Sequence, residues 1–323
     1  MTDTPFFIVG CGRSGTTLLR TLLNRHEKIA IPLESLFIID YLRAQGRFDL
    51  EYLISLVVSE PELEEWGISV SAEDLTDCVT VPQMISRLHE IYAYSKGKSR
   101  WGQKTPRFVR YLDLLGKDFP KSKMIHLIRD PRAVVSSLIQ SNVHRSNAYH
   151  ASLRWKMDVS AGLSYESEHG DRVMRVFYED LVNDQEIFIG RIAEVLKFDP
   201  SALMVGEKKT QEYSAFYEKI HENLDSSLTS AFIDKWKQHL SKEEIAIVEG
   251  ICGELMEGLG YERFLAIGSP PSDYKRRARA QRVTGIARQA GRYMKYRRSY
   301  LGHLIWRKWK LGLLKDFLWT VNY

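Results

Sequence analysis

Residues 6–19 read FFIVGCGRSGTTLL, and the predicted architecture of the chain starts from this stretch. Four apolar residues lead into a turn that contains three glycines, and the turn leads into a segment with apolar residues at helical spacing. This order predicts a buried strand, a tight loop and a helix. Glycines allow backbone N–H groups to converge on an anion, and a helix N-terminus adds positive charge. The stretch therefore predicts an anion-binding loop.

One position distinguishes this loop from that of nucleoside triphosphatases. The spacing from Gly10 to Gly15 fits the pattern G-x-x-x-x-G-K-[ST], but Thr16 occupies the lysine position. A nucleoside triphosphate needs that lysine on its outer phosphates and a metal ion between them. Here Arg13 lies inside the loop, and Thr16 and Thr17 offer hydroxyl groups. These side chains suit a less charged 5′ end that binds without a metal ion.

A second motif follows the best predicted strand of the chain. Residues 123–128 (KMIHLI) form a near-continuous apolar run, as expected of a buried parallel strand, and His126 within it is expected to be a satisfied core or pocket-edge histidine. Arg129 follows the strand, and Pro131 suits the first turn of a helix that carries Ser137. The arginine and the serine can close on one phosphate group. We therefore expect a second anion site here.

Together these motifs resemble the sulfotransferase superfamily, whose members use 3′-phosphoadenosine-5′-phosphosulfate (PAPS). The loop is most similar to that of the branch with the tyrosylprotein sulfotransferases and many bacterial sulfotransferases. The resemblance implies an α/β fold, a three-layer sandwich with a central parallel sheet of the P-loop NTPase type. Weaker matches continue in the family's order to about residue 262, at 102–106 (GQKTP), 178–181 (YEDL), 235–236 (KW) and 259–261 (LGY).

The resemblance also implies which residues bind the donor. The loop would hold the 5′-phosphosulfate, and the arginine–serine pair would hold the 3′-phosphate. The implied donor-binding residues are Arg13, Ser14, Gly15, Thr16, Thr17, Arg129, Ser137, Tyr178 and Lys235. A further basic residue of the family is replaced by Ser141, so Arg132, Arg145 or a tail arginine is expected to supply that charge. The family's transition-state serine is expected within 205–230, where no single position stands out.

Three residues are expected to act on the reacting groups. Glu34 matches the family's catalytic base, and a carboxylate within hydrogen-bond reach can take the proton of an acceptor hydroxyl. Its alternative role is that of an acid at a helix N-terminus. Lys104 matches the lysine that stabilises the leaving phosphate, where a fixed cation lowers the barrier. Its alternative is a solvated loop lysine. Arg13 is expected to assist at the transferring group.

Composition bears on the compartment and on the size of the core. The 323 residues are 44% hydrophobic, enough for a sizeable core in one large domain or two modest ones. Three widely spaced cysteines indicate reduced thiols and no metal cluster. The first apolar run is too short for a signal peptide, and no uninterrupted apolar stretch has the length of a membrane span. We therefore expect a cytoplasmic protein.

A linker near the C-terminus predicts two parts of unequal size. The stretch 268–272 (GSPPS) has the composition of a flexible connection. We expect a sulfotransferase domain at 1–268 and a basic, aromatic and helical extension at 269–323. Within the domain, the mostly helical segment 41–100 is assigned to the acceptor side, because related enzymes place acceptor-contacting segments there.

The extension carries most of the positive charge. Residues 270–323 hold 14 Lys and Arg and 2 Asp and Glu, a net charge of +12, so the remainder of the chain is acidic. Its apolar residues at helical spacing are Leu301, Ile305, Trp306, Trp309, Leu313, Phe317 and Val321, with Arg307, Lys308, Lys310 and Lys315 around them. Such a helix can lie on an anionic membrane surface through 275–323, pack on the core or bind an anionic glycan. No nucleic-acid-binding module surrounds it, so no nucleic acid is expected.

These patterns predict PAPS-dependent sulfuryl transfer to a hydroxyl group or amine, without a metal ion. The sequence leaves a saccharide, a lipid, a peptide and a small metabolite open as acceptors. A first alternative is a P-loop kinase of a small metabolite, which would depend on magnesium and which the missing lysine disfavours. A second alternative is a non-catalytic membrane-surface or glycan-binding protein with a vestigial nucleotide site.

Overall fold

The computed structural model describes residues 4–141, 146–201, 232–265, 272–281, 283, 287 and 298–316. Its centre is a five-stranded sheet in which every strand pairing is parallel. The strands follow the spatial order β2-β3-β1-β4-β5. They are β1 (Phe6–Gly10), β2 (Ile29–Ala30), β3 (Arg100–Lys104), β4 (Lys123–Ile128) and β5 (Val173–Phe177).

Helices connect the strands and cover the sheet. Those before β4 are α1 (Thr16–Leu23), α2 (Phe37–Ala44), α3 (Leu50–Val57), α4 (Pro61–Glu65), α5 (Val81–Ser95) and α6 (Leu112–Asp118). Those after β4 are α7 (Pro131–Gln140), α8 (Ala148–Glu168), α9 (Tyr178–Asn183), α10 (Gln185–Leu196), α11 (Trp236–His239), α12 (Lys242–Gly258) and α13 (Arg298–Lys310). Short 3₁₀ helices lie at Glu73–Leu75, Pro106–Tyr111, Gly170–Arg172 and Leu314–Asp316.

The two faces of β1 explain why the domain has three layers. Successive side chains of a strand point to opposite faces of the sheet. Phe6 and Ile8 belong to an apolar cluster with side chains of α1 and α10. Phe7 and Val9 belong to another cluster, with side chains of α2, α3 and α5. Both faces of the central strand are therefore covered by helices, and the predicted three-layer α/β fold is confirmed.

The sheet register brings the predicted site residues to one edge. Ile8 of β1 pairs with Lys104, the last residue of β3, and Gly10 pairs with Leu127 of β4. Parallel strands end at the same edge of the sheet, which is where open α/β sheets bind ligands. The loop after β1 consequently lies between the end of β3 and Arg129, the residue that follows β4.

The strand predicted at 123–128 is observed with the same bounds as β4. Strand β5 ends at Phe177, because Tyr178 is already the first residue of α9. Between β3 and β4 the chain forms the 3₁₀ helix Pro106–Tyr111 and then α6.

His126 of β4 is buried, as predicted, but it is not satisfied. Neither of its ring nitrogens has a hydrogen-bond partner among the described residues. The ring packs against Gly162 of α8, where an added Cβ would come within 2.1 Å of it. Burial lowers the pKa of His126 to about 3, so the ring is neutral at physiological pH. The histidine is a neutral core residue that forgoes its hydrogen bonds.

The described end of the C-terminal extension packs on the core of the domain. Leu311 and Leu313 belong to the same apolar cluster as Phe37 of α2 and Trp66 at the end of α4. Of the three placements that the sequence left open, packing on the core is the one observed for residues 298–316. No helix within the described ranges is both long enough and apolar enough to cross a bilayer.

The predicted amphipathic pattern of this extension is wrong for α13. Trp309 is 62% exposed and Ile305 is 41% exposed, although both were expected on the apolar stripe. Arg307 and Lys308 are buried, although they were expected on the polar face. The reason is that the surface under α13 is acidic and pairs with the two cations.

Candidate active site

The backbone of the anion loop requires two of its glycines. Gly15 has a φ of +92°, and a Cβ there would lie 2.3 Å from Cδ2 of the Tyr178 ring. Gly10 has a φ of +149°, and a Cβ there would lie 2.3 Å from the carbonyl oxygen of Leu127. Glycine adopts positive φ without steric cost and leaves room for the close approach. The loop therefore lies directly on the ring of Tyr178.

Arg13 and Ser14 complete the loop. Arg13 has a φ of +76°, a backbone conformation that is uncommon outside glycine and often found at functional sites. The N–H of Ser14 donates to the carbonyl oxygen of Cys11 at 3.1 Å and closes the turn. The Ser14 hydroxyl is buried and has no hydrogen-bond partner among the described residues, which fits a loop shaped for a ligand. Burial raises the pKa of the Cys11 thiol well above its usual value, so this cysteine is no nucleophile.

Lys104 connects the loop helix to the predicted base. Its side chain is 1% exposed, and it forms an ion pair with the partly exposed carboxylate of Glu34. The Nζ of Lys104 also donates to the hydroxyl of Thr17 at 3.1 Å. Burial lowers the pKa of Lys104, and the charge of Glu34 opposes this effect. One buried cation is therefore fixed between the first turn of α1 and a carboxylate that reaches solvent.

A buried arginine that the sequence analysis did not identify holds the chain just before Glu34. The Nε of Arg20, in α1, donates to the carbonyl oxygens of Ile31 at 3.0 Å and Pro32 at 2.9 Å. Because Arg20 lies in the helix that follows the anion loop, helix α1 supports both the loop and the chain that leads to Glu34. The sequence signals this role of Arg20 only by placing a basic residue among the apolar residues of a predicted helix.

The residue after Glu34 is also held. The N–H of Ser35 donates to the hydroxyl of Thr105 at 3.2 Å. Thr105 follows Lys104 directly, so the same turn of chain positions the cation and supports the base. The side-chain amide of Gln103 donates to the Thr105 hydroxyl at 2.8 Å and orients it. The GQKTP match, which identified Lys104, contained these two residues as well.

Arg129 lies beside the loop, as its position after β4 predicts. Its Nη1 donates to the carbonyl oxygen of Arg13 at 3.2 Å, and its Nη2 donates to that of Phe232 at 2.9 Å. Its guanidinium group lies 4.1 Å from the centroid of the Tyr178 ring. The Nε of Arg129 is buried without a hydrogen-bond partner among the described residues. A fixed cation with unused donor capacity is suited to a phosphate group.

Ser137 of α7 lies within reach of the loop. Its hydroxyl accepts a hydrogen bond from the Nε of Arg13 at 2.9 Å. Burial lowers the pKa of Arg13, and the neighbouring charge of Arg129 lowers it further. Two guanidinium groups and a hydroxyl therefore converge at one point, where an anion would relieve the repulsion between the cations.

Tyr178 and Lys235 differ in how closely they approach the site. Tyr178 packs between the loop and Arg129, and burial raises the pKa of its hydroxyl. Lys235 is exposed, and its Nζ lies 4.2 Å from the centroid of the Phe232 ring. The carbonyl group of Phe232 contacts Arg129 in turn. The structure thus brings Tyr178 into the site directly and Lys235 only through Phe232.

The expectation that Arg132 contributes to the 3′-phosphate site is wrong for this structure. Arg132 is buried in salt bridges with Asp130 at 2.7 Å and Glu249 at 2.9 Å. These two carboxylates already neutralise its charge, so it is not a cation left over for a phosphate group. Arg145 and the stretch 205–230, in which the transition-state serine was expected, lie outside the residues that the structure describes in full.

Comparison with known proteins gives a consistent assignment. A sequence model described as the sulfotransferase family matches residues 5–200, which include the loop and both predicted anion sites. A putative protein-tyrosine sulfotransferase of Caenorhabditis briggsae is 23% identical over 270 residues, which cover 79% of this chain and 88% of that protein. Nodulation protein NoeE of Sinorhizobium fredii is 26% identical over 284 residues, which cover 80% of this chain and 66% of that protein.

A solved structure supports the same fold. The sulfotransferase domain from the Synechococcus PCC 7002 olefin synthase aligns with a TM-score of 0.57 at 24% sequence identity. The alignment covers 81% of this chain and 96% of that domain. Similarity at this level of identity describes the architecture of the chain and leaves its acceptor undefined.

Proposed function

This chain belongs to the sulfotransferase family, and from this membership we propose that it transfers a sulfuryl group from PAPS to a hydroxyl group or amine of an acceptor molecule. The observation that carries the proposal is the position of Lys104, whose ammonium group contacts both Thr17 of the loop helix and the carboxylate of Glu34. A cation for the donor and a proton acceptor thus lie side by side, as catalysis by positioning requires.

The proposed donor site has two ends. The loop holds the 5′-phosphosulfate with its N–H groups and hydroxyls, and this role is supported by the Ser14 hydroxyl, which has no hydrogen-bond partner in the described part of the chain. Arg129 and Ser137 hold the 3′-phosphate, supported by the Nε of Arg129, which likewise has no partner there. Tyr178 and Lys235 flank the nucleotide. The proposed donor-binding residues are Arg13, Ser14, Gly15, Thr16, Thr17, Arg129, Ser137, Tyr178 and Lys235.

The proposed chemistry uses three side chains. The acceptor oxygen forms a bond to sulfur while the bond from sulfur to the bridging phosphate oxygen breaks, and Glu34 takes the acceptor proton. Negative charge then develops on the bridging oxygen, where Lys104 and Arg13 stabilise it. The products are the sulfated acceptor and adenosine 3′,5′-bisphosphate. The side chains supply the cations in this scheme, and no metal ion is part of it.

The class of acceptor is proposed from the relatives. Because several relatives are named protein-tyrosine sulfotransferases, a tyrosine-containing peptide is the first acceptor to test. Saccharides, lipids and small metabolites complete the set of acceptors. The helical segment 41–100 is proposed to form the acceptor side, because it begins within α2, shortly after Glu34, and contains α3, α4 and α5.

A further part of the proposal concerns the extension. We retain a sulfotransferase domain at 1–268 and an extension at 269–323, of which residues 298–316 pack on that domain. Trp309 and Ile305 are exposed on the outer side of α13, and the Nζ of Lys310 lies 4.9 Å from the centroid of a Trp309 ring. Exposed aromatic and aliphatic side chains next to basic residues suit an anionic membrane surface. We propose peripheral contact with such a surface.

Two measurements test the proposed function. In a thermal-shift assay, adenosine 3′,5′-bisphosphate should raise the melting temperature, whereas ATP with magnesium should not. Radiolabelled PAPS should transfer label to at least one acceptor in a panel of peptides, saccharides, lipids and phenols, with or without a chelator. Stabilisation by ATP and magnesium alone would favour the kinase alternative. Nucleotide binding without transfer to any acceptor would favour the non-catalytic alternative.

A further inference from the structure

A fully buried arginine anchors the C-terminal helix α13. Arg307 is 0% exposed, and its Nε donates to Asp40 at 3.0 Å. Its Nη1 contacts Glu60 at 2.5 Å and Glu62 at 3.2 Å. Asp40 lies in the first turn of α2, whereas Glu60 and Glu62 flank the start of α4. One guanidinium group therefore joins two helices that are separate in the sequence.

Other side chains of α13 act on the same three carboxylates. Lys308 is 2% exposed and pairs with Asp40. The Nε2 of His303 lies 2.9 Å from Glu60, and the hydroxyl of Tyr300 donates to Glu62 at 3.1 Å. Among the described residues, every ion pair of these carboxylates is made by a side chain of α13.

The acidic cluster needs these cations to remain packed. Three carboxylates buried close together repel one another, and the repulsion is strong where water is excluded. Burial raises the pKa of Glu62 to about 7; the charge of Arg307 counteracts this, whereas the charge of Glu60 adds to it. Removing the arginine would leave buried negative charges on α2 and α4 that push the two helices apart.

Both anchored helices lead to the segment that carries Glu34. Helix α2 begins at Phe37, three residues after Glu34. Helix α4 ends at Glu65, and the indole Nε1 of the next residue, Trp66, donates to the hydroxyl of Ser35 at 2.9 Å. The N–H of Ser35 donates in turn to Thr105, the residue after the cation that pairs with Glu34. The contacts that start at α13 thus extend, through packed and hydrogen-bonded residues, to Ser35, which follows Glu34, and to Thr105, which follows Lys104.

We propose that Arg307 is a positioning residue for the transfer reaction: by neutralising Asp40, Glu60 and Glu62 it holds α2 and α4 together, and these helices hold Ser35 and Glu34 against Lys104. The inference rests on the proposed function, because it assigns Glu34 the role of base. It goes further in making a helix outside the family-matched residues 5–200 part of the working site. Arg307 acts through other residues and touches no reacting group.

The test compares local protection from amide hydrogen exchange in the full-length protein. Arg307→Met keeps an unbranched side-chain stem of four heavy atoms and removes the guanidinium group with its charge. We expect exchange in the peptide 33–44 to become about tenfold faster, because local opening there costs less free energy. Exchange in 6–19 and the affinity for adenosine 3′,5′-bisphosphate should stay within about twofold, since the hydrogen bonds of Arg307 to described residues go to Asp40, Glu60 and Glu62 and not to the anion loop.

Three further variants keep the test decisive. Lys315→Met makes the same chemical change at an exposed position of the extension and should leave exchange in 33–44 unchanged. Combining Arg307→Met with Glu60→Gln and Glu62→Gln removes the repulsion between the buried carboxylates and should restore the exchange protection of 33–44. This triple variant tests the inference even if the Arg307→Met protein does not fold. Arg307→Lys, which keeps the charge, should restore part of it.

The inference is overturned if a folded Arg307→Met protein protects 33–44 as the wild type does. It is also overturned if the triple variant fails to regain protection, because the role would then not be charge neutralisation. These results are distinguishable from failure of the proposed function. That failure would appear in the wild-type protein as no binding of adenosine 3′,5′-bisphosphate, whatever the exchange pattern of the variants.

Discussion

The Nε of Arg13 and the hydroxyl of Ser137 share a hydrogen bond of 2.9 Å across 124 positions of the sequence. We assign Arg13 to the sulfated end of the donor and Ser137 to its ribose phosphate. Their contact means that the two ends of the proposed donor site are continuous. Because the Ser137 hydroxyl accepts from Arg13, its own proton is left to donate to a bound phosphate.

This contact leads to a prediction for nucleotide binding. Ser137→Ala should lower the affinity for adenosine 3′,5′-bisphosphate by roughly tenfold or more, because a hydrogen bond to a charged group contributes about 1.5–3 kcal/mol. Adenosine 5′-monophosphate, which lacks the 3′-phosphate, should lose far less affinity. Titration calorimetry with both nucleotides measures the difference. Equal losses for the two would argue against a 3′-phosphate contact.

The Glu34–Lys104 pair predicts an effect on turnover without an effect on donor binding. Glu34→Gln should reduce sulfuryl transfer by about 10²–10⁴-fold, the range of a lost general base. Binding of adenosine 3′,5′-bisphosphate should persist, because the loop and Arg129 are unchanged. Glu27→Gln, at an exposed position between α1 and β2, is the matched control and should retain full activity. Unchanged turnover in Glu34→Gln would remove Glu34 from the mechanism.

Gly46 and Gly15 both have a positive φ, but only Gly15 has a close neighbour, so their substitutions distinguish backbone strain from steric clash. Gly46 has a φ of +77° with nothing within 4 Å of an added Cβ, whereas Gly15 has a φ of +92° and the Tyr178 ring at 2.3 Å. Gly46→Ala should cost about 1–2 kcal/mol of unfolding free energy from strain alone. Gly15→Ala should cost more and should abolish binding of adenosine 3′,5′-bisphosphate. Urea unfolding and calorimetry of both variants check this, and equal behaviour of the two would contradict the observed packing.

Two buried histidines predict acid sensitivity. Burial lowers the pKa of His89 to about 4 and that of His126 to about 3, from an ordinary value of 6.5. The unfolded chain therefore binds protons that the folded chain cannot, so stability is lost as the pH falls below 6.5. Each histidine contributes about 1.4 kcal/mol per pH unit down to its folded pKa. Glu62, with a raised pKa of about 7, acts in the opposite direction between pH 4.5 and 7.

A single variant isolates one of these contributions. His126→Leu removes a group that titrates only in the unfolded chain, so the slope of unfolding free energy against pH should fall by about 1.4 kcal/mol per pH unit between pH 6 and 4. At pH 7 the variant should not be much less stable, because the imidazole makes no hydrogen bond among the described residues. Urea titrations at several pH values measure both quantities. Parallel curves for the variant and the wild type would show that His126 is protonated in the folded state.

The exposed side chains of α13 give a test of membrane contact. Trp309→Ala together with Ile305→Ala should reduce sedimentation with vesicles rich in phosphatidylserine by about tenfold, because two apolar anchors are lost. Vesicles of phosphatidylcholine alone, which carry no net charge, show how much of the binding depends on the negative charge of the membrane. Deleting the extension is a poorer test, since it would also remove Arg307. Undiminished binding of the double variant would exclude this face as the membrane contact.

The residues at the ends of the strands could be predicted from the sequence, and those that support them could not. The loop after β1 and Arg129 after β4 lie where buried apolar strands end, and a parallel sheet collects such ends at one edge. Glu34 and Lys104 were identified by resemblance, and the structure shows that they form an ion pair. Arg20 was missed because its partners are backbone carbonyl groups, which leave no signature in side-chain patterns.

The extension shows a second limit of sequence reasoning. Arg307 lies among basic and aromatic residues, so local composition indicated an exposed cation. Its partners Asp40, Glu60 and Glu62 are more than 240 positions away and lie on helices that local patterns do not relate to the tail. Because of this long-range charge pairing, Arg307 and Lys308 are on the buried face of α13, and Ile305 and Trp309 are on the exposed face. In the same way, the pattern around His126 predicted its burial but not its missing hydrogen bonds.

Helix α1 sets the distance between two parts of the proposed site. The anion loop, which we propose to bind the sulfated end of the donor, precedes the helix, and Arg20, which donates to the carbonyl groups of Ile31 and Pro32, lies little more than one helical turn along it. The proposed spacing between the donor sulfur and Glu34 therefore depends on the pitch of this helix. A single residue inserted between Thr17 and Arg20 would rotate Arg20 by about 100°, and we expect such a variant to bind adenosine 3′,5′-bisphosphate but to misplace Glu34.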